Sequence, residues 1–186
     1  AARAMSLLPQ ATVMMGVPTF YTRLLQEPSF GREACRSVRL FISGSAPLLP
    51  ETHNQWRERT GHAILERYGM TETNMNTSNP YQGARIPGSV GLPLPGVEIR
   101  IADGDGRPLP QGEIGMIEVR GPNVFKGYWK MPEKTAAEFR PDGFFITGDL
   151  GSIGANGYLS IVGRGKDLII TGGLMSIRAR SKACST

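Results

Sequence analysis

The hexapeptide Tyr68-Gly69-Met70-Thr71-Glu72-Thr73 combines side chains that could hold a nucleotide. An aromatic ring can stack on a purine, glycine lets backbone come close to a phosphate, threonine offers a hydroxyl, and glutamate offers hard oxygens to magnesium. Taken alone, the cluster reads equally as a turn or helix cap, because Thr and Glu at a helix start satisfy free amides without any ligand. Its neighbours in the chain decide between these readings. Ser43-Gly44-Ser45-Ala46-Pro47-Leu48 lies upstream; Gly88-Ser89-Val90-Gly91-Leu92-Pro93, Thr147-Gly148-Asp149-Leu150 and Gly163-Arg164-Gly165-Lys166-Asp167 follow in that order.

In type and order these motifs resemble the core motifs of the adenylate-forming superfamily, which contains acyl-CoA synthetases, luciferases and peptide-synthetase adenylation domains. The stretches from Gly16 to Leu25 and from Glu66 to Tyr81 are most similar to its malonyl-CoA synthetase branch. The resemblance covers residues 1 to about 173 and implies an acid–thiol ligase using ATP, Mg2+ and CoA. Such an enzyme joins a carboxylate to AMP, expels pyrophosphate, and lets the CoA thiolate displace AMP. A neighbouring short- or medium-chain acyl-CoA ligase is the close alternative. A truncated, non-catalytic nucleotide-binding module is the alternative of a different class.

The resemblance also implies roles for individual residues. Gly44, Ser45 and Ala46 would form a wall of the adenine pocket, with Tyr68 against the purine and Gly69 beside the phosphates. Thr71 would bind the α-phosphate and Glu72 would hold magnesium, the two together serving catalysis. Asp149 would accept hydrogen bonds from both ribose hydroxyls, which its two oxygens suit; its alternative is a turn residue after Gly148. Arg164 would grip ribose and phosphate, or else form a surface ion pair. Lys166 falls at the superfamily's hinge. A malonate carrying a second carboxylate needs a bidentate partner, and Arg23 is the candidate, with Arg39 and Arg85 competing. Phe20 and Met75 would set the depth of the acyl pocket, although apolar residues at such places are commonly core.

The elements that must position these residues are legible too. Ala11 to Val17, Val38 to Ser43 and Ala63 to Tyr68 read as strands of a parallel sheet, with helices over Thr19 to Leu25 and over Pro50 to Arg59. Pro50 suits the first helical position and Gly61 the residue past the end. This alternation predicts right-handed crossovers, with ligands gathering at the carboxyl ends of the strands. From Gly88 onward the pattern shifts to short alternating strands: Val97 to Ala102, Ile114 to Arg120, Phe144 to Thr147 and Tyr158 to Val162. The fold class is therefore α/β: a parallel-sheet βαβ portion over 1–87, then a β-rich, barrel-like subdomain over 88–162. A hinge region over 163–173 and an atypical, disordered tail over 174–186 complete the division. Asp103-Gly104-Asp105-Gly106 lacks the later ligands of a calcium loop and reads as a hairpin turn. Pro132 to Arg140 reads as a short surface helix.

Composition narrows the classes. The 186 residues, 40% of them hydrophobic, can bury a domain-sized core. The net charge of +5 comes from scattered Lys and Arg, which argues against a nucleic-acid partner. Cys35 and Cys184 form no disulfide framework, and His53 and His62, nine positions apart, lack zinc-helix spacing. No apolar run approaches a membrane span and Ala1 to Leu8 do not read as a signal peptide, so the expected setting is cytoplasmic, or mitochondrial in a eukaryote. The superfamily's upstream Pro-Lys-Gly phosphate loop and its distal catalytic lysine have no counterpart among these residues. The expectation is a central fragment, inactive by itself, whose partners are the small molecules malonate, ATP and CoA.

Overall fold

The structure, a computed structural model, describes residues 1–165, 168–171 and 174–177, the last two segments as strands. A short helix α1 (Ala2–Leu7) leads through a single turn at Leu8–Gln10 into β1 (Val13–Gly16), α2 (Pro18–Leu25), β2 (Leu40–Ser43), α3 (Pro50–Thr60) and β3 (Leu65–Met70). The three strands pair in parallel, Gly16 opposite Ser43 and Ser43 opposite Glu66, so the expected βαβαβ unit is present. Two further strands extend this sheet antiparallel, β4 (Asn74–Ser78) and β5 (Leu92–Pro93), and its order is β1-β2-β3-β4-β5. The sheet thus runs to Pro93, past the boundary expected at residue 87.

Proline opens both crossover helices at the position where its missing N–H is not needed. Gly61 ends α3 in the left-handed conformation, φ 80°, with its N–H on the Arg57 carbonyl, a position that strains any residue bearing a Cβ. Both helices pack on one sheet face around Trp56, which has no solvent exposure and meets the rings of Tyr21, Phe30 and Phe41 at 4.8–5.0 Å. Two polar ties fix them. Tyr21 donates to the Ile42 carbonyl at 2.5 Å, and the Arg59 guanidinium donates to the carbonyls of Leu25, which ends α2, and of Glu27 and Phe30 just past it. Strand alternation sends Val13, Met15 and Arg67 to the opposite face, where Met15 is 63% exposed.

The remaining strands β6 (Glu98–Ala102), β7 (Gly115–Arg120), β8 (Phe145–Ile153) and β9 (Leu159–Arg164) form an antiparallel sheet in sequence order, with α4 (Pro132–Glu138) between β7 and β8. Among the described strands this sheet has four members, and Leu159 of β9 also bridges Gly91 beside the first sheet. Asp103 begins a tight turn, its Oδ1 accepting from the N–H groups of Asp105 and Arg107, as expected. Buried Glu118 is paired with Arg100 at 2.7 Å and Arg140 at 2.8 Å, so its charge is compensated on both oxygens.

The expected disorder of residues 174–186 gives way at its start: β11 (Leu174–Ile177) pairs antiparallel with β10 (Leu168–Thr171). Residues 178–186 lie outside the described residues. Among the described residues no helix is long and apolar enough to cross a membrane.

Candidate functional site

The second and first sheets meet where three of the sequence motifs converge. Gly88 to Pro93 acts as the seam: the Val90 N–H and Ser89 Oγ both donate to the Leu159 carbonyl, at 2.9 and 3.0 Å. A Cβ on Gly91 would lie 2.0 Å from the Ser78 carbonyl carbon, and φ is 90° there, so this glycine is demanded by the junction. Across the same junction Tyr68, at the end of β3, donates its hydroxyl to Asp149 Oδ2 at 2.6 Å. Burial, followed by the Asp149 charge and hydrogen bond, pushes the Tyr68 hydroxyl far above its ordinary pKa, so it stays a donor.

Asp149 lies within β8 rather than in a turn, opposite Arg164 of β9, with Arg164 Nε 3.5 Å from its Oδ1. Thr147 Oγ1 accepts the Asp149 N–H and donates to the Ile117 carbonyl, which holds the carboxylate's backbone against the neighbouring strand. The Asp149 side chain is nearly buried while that of Arg164 is 75% exposed. The pair therefore offers one nearly buried carboxylate and one exposed guanidinium. Tyr68 itself is buried among Ile101, Ile117, Val119 and Leu159, so only a small part of its ring is open to a stacking partner.

Thr71, Glu72 and Thr73 make the tight turn between β3 and β4, closed by Thr73 N–H to the Met70 carbonyl. The glycine before it is required by the hairpin: a Cβ on Gly69 would lie 1.9 Å from the Asn74 oxygen and 2.6 Å from Met75 Cε. Met75 accordingly sits over Gly69. Loop residues 121–128 hold this turn from outside. The Phe125 N–H donates to the Glu72 carbonyl at 2.7 Å, Asn123 Nδ2 donates to the Thr73 carbonyl at 2.7 Å, and Tyr128 Oη lies 3.2 Å from Glu72 Oε1. Thr71 is exposed, and Glu72 is half-buried with its carboxylate beside Tyr128.

Gly44, Ser45 and Ala46 follow β2 at the carboxyl edge of the parallel sheet. Gly44 lies against β3, where a Cβ would come 3.3 Å from the Arg67 carbonyl, and exposed Ser45 takes φ 66°, a conformation sparsely used by non-glycine residues and concentrated at binding loops. Phe20 packs on Gly16, and Arg23, three positions on, shares its exposed helix face without any ion pair among the described residues. Arg85 is turned inward to the carbonyls of Ala63, Pro80 and Tyr81, and Arg39 pairs with the Tyr81 hydroxyl. Lys166 lies outside the described residues.

Two residues near these motifs escaped sequence reasoning. Arg67 lies on the open sheet face against Gly44, its guanidinium 2.7 Å from Met15 Sδ. The alternation of β3, which places Leu65 and Arg67 together, was the available signal. Tyr128 reaches Glu72 across 56 positions, and nothing local announces that contact.

The fold is thus an α/β arrangement in which a mostly parallel sheet meets a second, antiparallel sheet through Tyr68 and the Asp149–Arg164 pair. The chain belongs to the AMP-binding enzyme family, whose profile matches residues 7–129. It is similar to the ATP-bound crystal structure of MatB from Rhodopseudomonas palustris, with 66% identity, a TM-score of 0.92, and coverage of 95% of this chain and 35% of that one. A malonyl-CoA ligase ternary product complex with methylmalonyl-CoA and AMP is 44% identical, with a TM-score of 0.79, over 92% of this chain and 38% of that one. The malonate–CoA ligase of Arabidopsis thaliana is 45% identical over 171 residues, 87% of this chain and 28% of that protein. The chain thus spans about a third of the length of these relatives.

Proposed function

We propose that this chain carries the adenosine-binding and acyl-facing segment of an ATP-dependent malonate–CoA ligase. The observation that carries the reading is the convergence of Tyr68, Asp149 and Arg164 from two sheets, joined with similarity to ATP-bound and AMP-bound relatives. Asp149 has the lone pairs to accept both ribose hydroxyls while keeping the Tyr68 bond, because each carboxylate oxygen accepts more than one donor. Arg164 swings to ribose and phosphate. Gly44, Ser45 and Ala46 line the adenine side, and Tyr68 contributes its ring edge and the orientation of Asp149.

Adenylation requires the substrate carboxylate oxygen in line with the α-phosphorus, forming an acyl-phosphate mixed anhydride as the bond to pyrophosphate breaks. Thr71 would donate its hydroxyl to the α-phosphate, a role supported by its exposure on the turn. Magnesium, when bound with the triphosphate, would neutralise charge on the phosphate oxygens. The turn fits that requirement, since Glu72 offers a half-buried carboxylate. One protein carboxylate plus phosphate oxygens is a common arrangement for this ion. The thiolate of CoA then attacks the acyl carbon and AMP leaves, with 163–173, which includes Lys166, as the hinge between the two steps.

The distal carboxylate of malonate needs a cation in the acyl pocket. Arg67, lying on the open face beside Gly44 and Met15, and Arg23, beside Phe20 on α2, are the candidates; Phe20 and Met75 bound the pocket by size. Arg39 and Arg85 are already engaged. In this reading the setting is the cytoplasm or the mitochondrion. The test is pyrophosphate exchange into ATP by a chimera in which the full chain replaces the matching segment of R. palustris MatB. Malonate should support exchange at least about 10-fold better than acetate or hexanoate. Faster exchange with either monocarboxylate would overturn the dicarboxylate assignment.

A further inference from the structure

Tyr128 has one hydroxyl proton and two carboxylates to share it with. Its Oη lies 2.6 Å from Glu138 Oε2 on α4 and 3.2 Å from Glu72 Oε1 on the β3–β4 turn. The ring cannot easily choose another position. It packs edge-on to Phe125 at 4.8 Å, Lys134 Nζ lies 4.1 Å from its centroid, and its own N–H donates to Thr135 Oγ1 at 2.9 Å. The hydroxyl is therefore fixed by packing, and the two acceptors compete for it unequally, the shorter contact going to Glu138.

We propose that Tyr128 is a positioning residue for Glu72 and that Glu138 sets the strength of its hold. The inference rests on reading Glu72 as the contact to the nucleotide-borne cation. With no cation present, the shared proton keeps the Glu72 carboxylate against Tyr128 instead of letting it drift or repel Glu138. With the cation bound, Glu72 would turn toward it while the Tyr128 hydroxyl keeps its short bond to Glu138, so the half-buried hydroxyl would not be left without an acceptor. Partners that orient a ligating carboxylate in this way act on affinity for the metal more than on the chemical step.

The test uses the chimera described above with Mn2+ as the probe, its binding followed by electron paramagnetic resonance in the presence of a non-hydrolysable ATP analogue. Tyr128→Phe keeps the ring packing and removes only the hydroxyl; it should weaken Mn2+ binding about 10-fold, and saturating Mg2+ should restore kcat. Glu138→Gln replaces the charged acceptor with a weaker neutral one, shifts the hydroxyl toward Glu72, and should weaken Mn2+ binding about fivefold in the Tyr128 background. In the Tyr128→Phe background Glu138→Gln should have no further effect, because Glu138 acts through the hydroxyl. Mn2+ affinity within twofold of the parent in Tyr128→Phe, or an undiminished Glu138→Gln effect when residue 128 is Phe, would overturn the proposal. Glu72→Gln separates the two readings. Weakened Mn2+ binding in that variant alone leaves the role of Glu72 standing and removes Tyr128 from it, whereas unchanged binding removes the cation role of Glu72 and this inference with it.

Discussion

Tyr68 and Asp149, 81 positions apart, are joined by a 2.6 Å hydrogen bond that ties the parallel sheet to the antiparallel one. The bond occupies Oδ2, while Arg164 faces Oδ1 from the paired strand. The carboxylate is thus oriented before any ligand arrives, with lone pairs left on both oxygens for further donors.

Removing the Tyr68 hydroxyl tests this orientation. Tyr68→Phe keeps the ring in its apolar surroundings but deprives a nearly buried carboxylate of its donor, which should lower stability by about 2 kcal/mol. Urea unfolding of the full chain measures that loss. AMP affinity in the chimera should fall alongside it, because Asp149 is no longer aimed. Equal stability of parent and variant would show that the bond contributes nothing.

Gly69 is asked for by the hairpin. A Cβ there meets the Asn74 oxygen at 1.9 Å, far inside contact distance, so the β3–β4 pairing has to open. Gly69→Ala should destabilise the ligand-free chain by about 1–3 kcal/mol or more, as overpacking does. Thermal unfolding without nucleotide reads the effect. If only nucleotide binding changed, the glycine would serve the phosphates instead.

Much of the frame was legible because local chemistry dictates it: Pro50 and Gly61 bracket α3, and the strand–helix alternation gives the parallel register. Strand β4 was not legible, since Asn74-Met75-Asn76-Thr77-Ser78 is polar and shows no alternation of apolar residues; the sheet and Asn123 supply its partners instead. Thr147-Gly148-Asp149 looks like a turn by residue type, yet it lies inside β8 because the cross-strand neighbours Gly163 and Arg164 continue the ladder. The order of the motifs along the chain singles out Tyr68, Asp149 and Arg164, which the structure brings into contact. Arg67 and Tyr128 were not, because their significance depends on which face of β3 is covered and on a loop that returns from 56 positions away.

Glu66 and His53 make a buried pair behind β3, with Nδ1 and Oε1 2.9 Å apart. Burial pushes the Glu66 carboxyl above its ordinary range, with the His53 hydrogen bond offsetting part of the rise. Folded Glu66 therefore holds its proton to higher pH than the unfolded chain does. Its contribution to stability is full below the ordinary carboxylate pKa and is lost as pH rises through the raised folded value. Glu66→Gln mimics the protonated form at every pH. The stability of the parent relative to this variant should fall as pH is raised from about 4 toward neutrality, followed by urea unfolding at each pH. A relative stability that climbs over that range would mean that the ionised carboxylate is the favoured form.

The most direct measurement of the account is the ribose preference of the chimera, taken from equilibrium affinities for AMP and for 2′,3′-dideoxy-AMP. With Asp149 in place, AMP should bind about 10-fold or more tightly than the dideoxy form, as expected when charge-assisted hydrogen bonds are lost. Asp149→Asn, which keeps the size but not the charge, should bring the two affinities together by weakening AMP alone. A ribose preference that survives Asp149→Asn unchanged would contradict the assignment of the Tyr68–Asp149–Arg164 junction as the adenosine site.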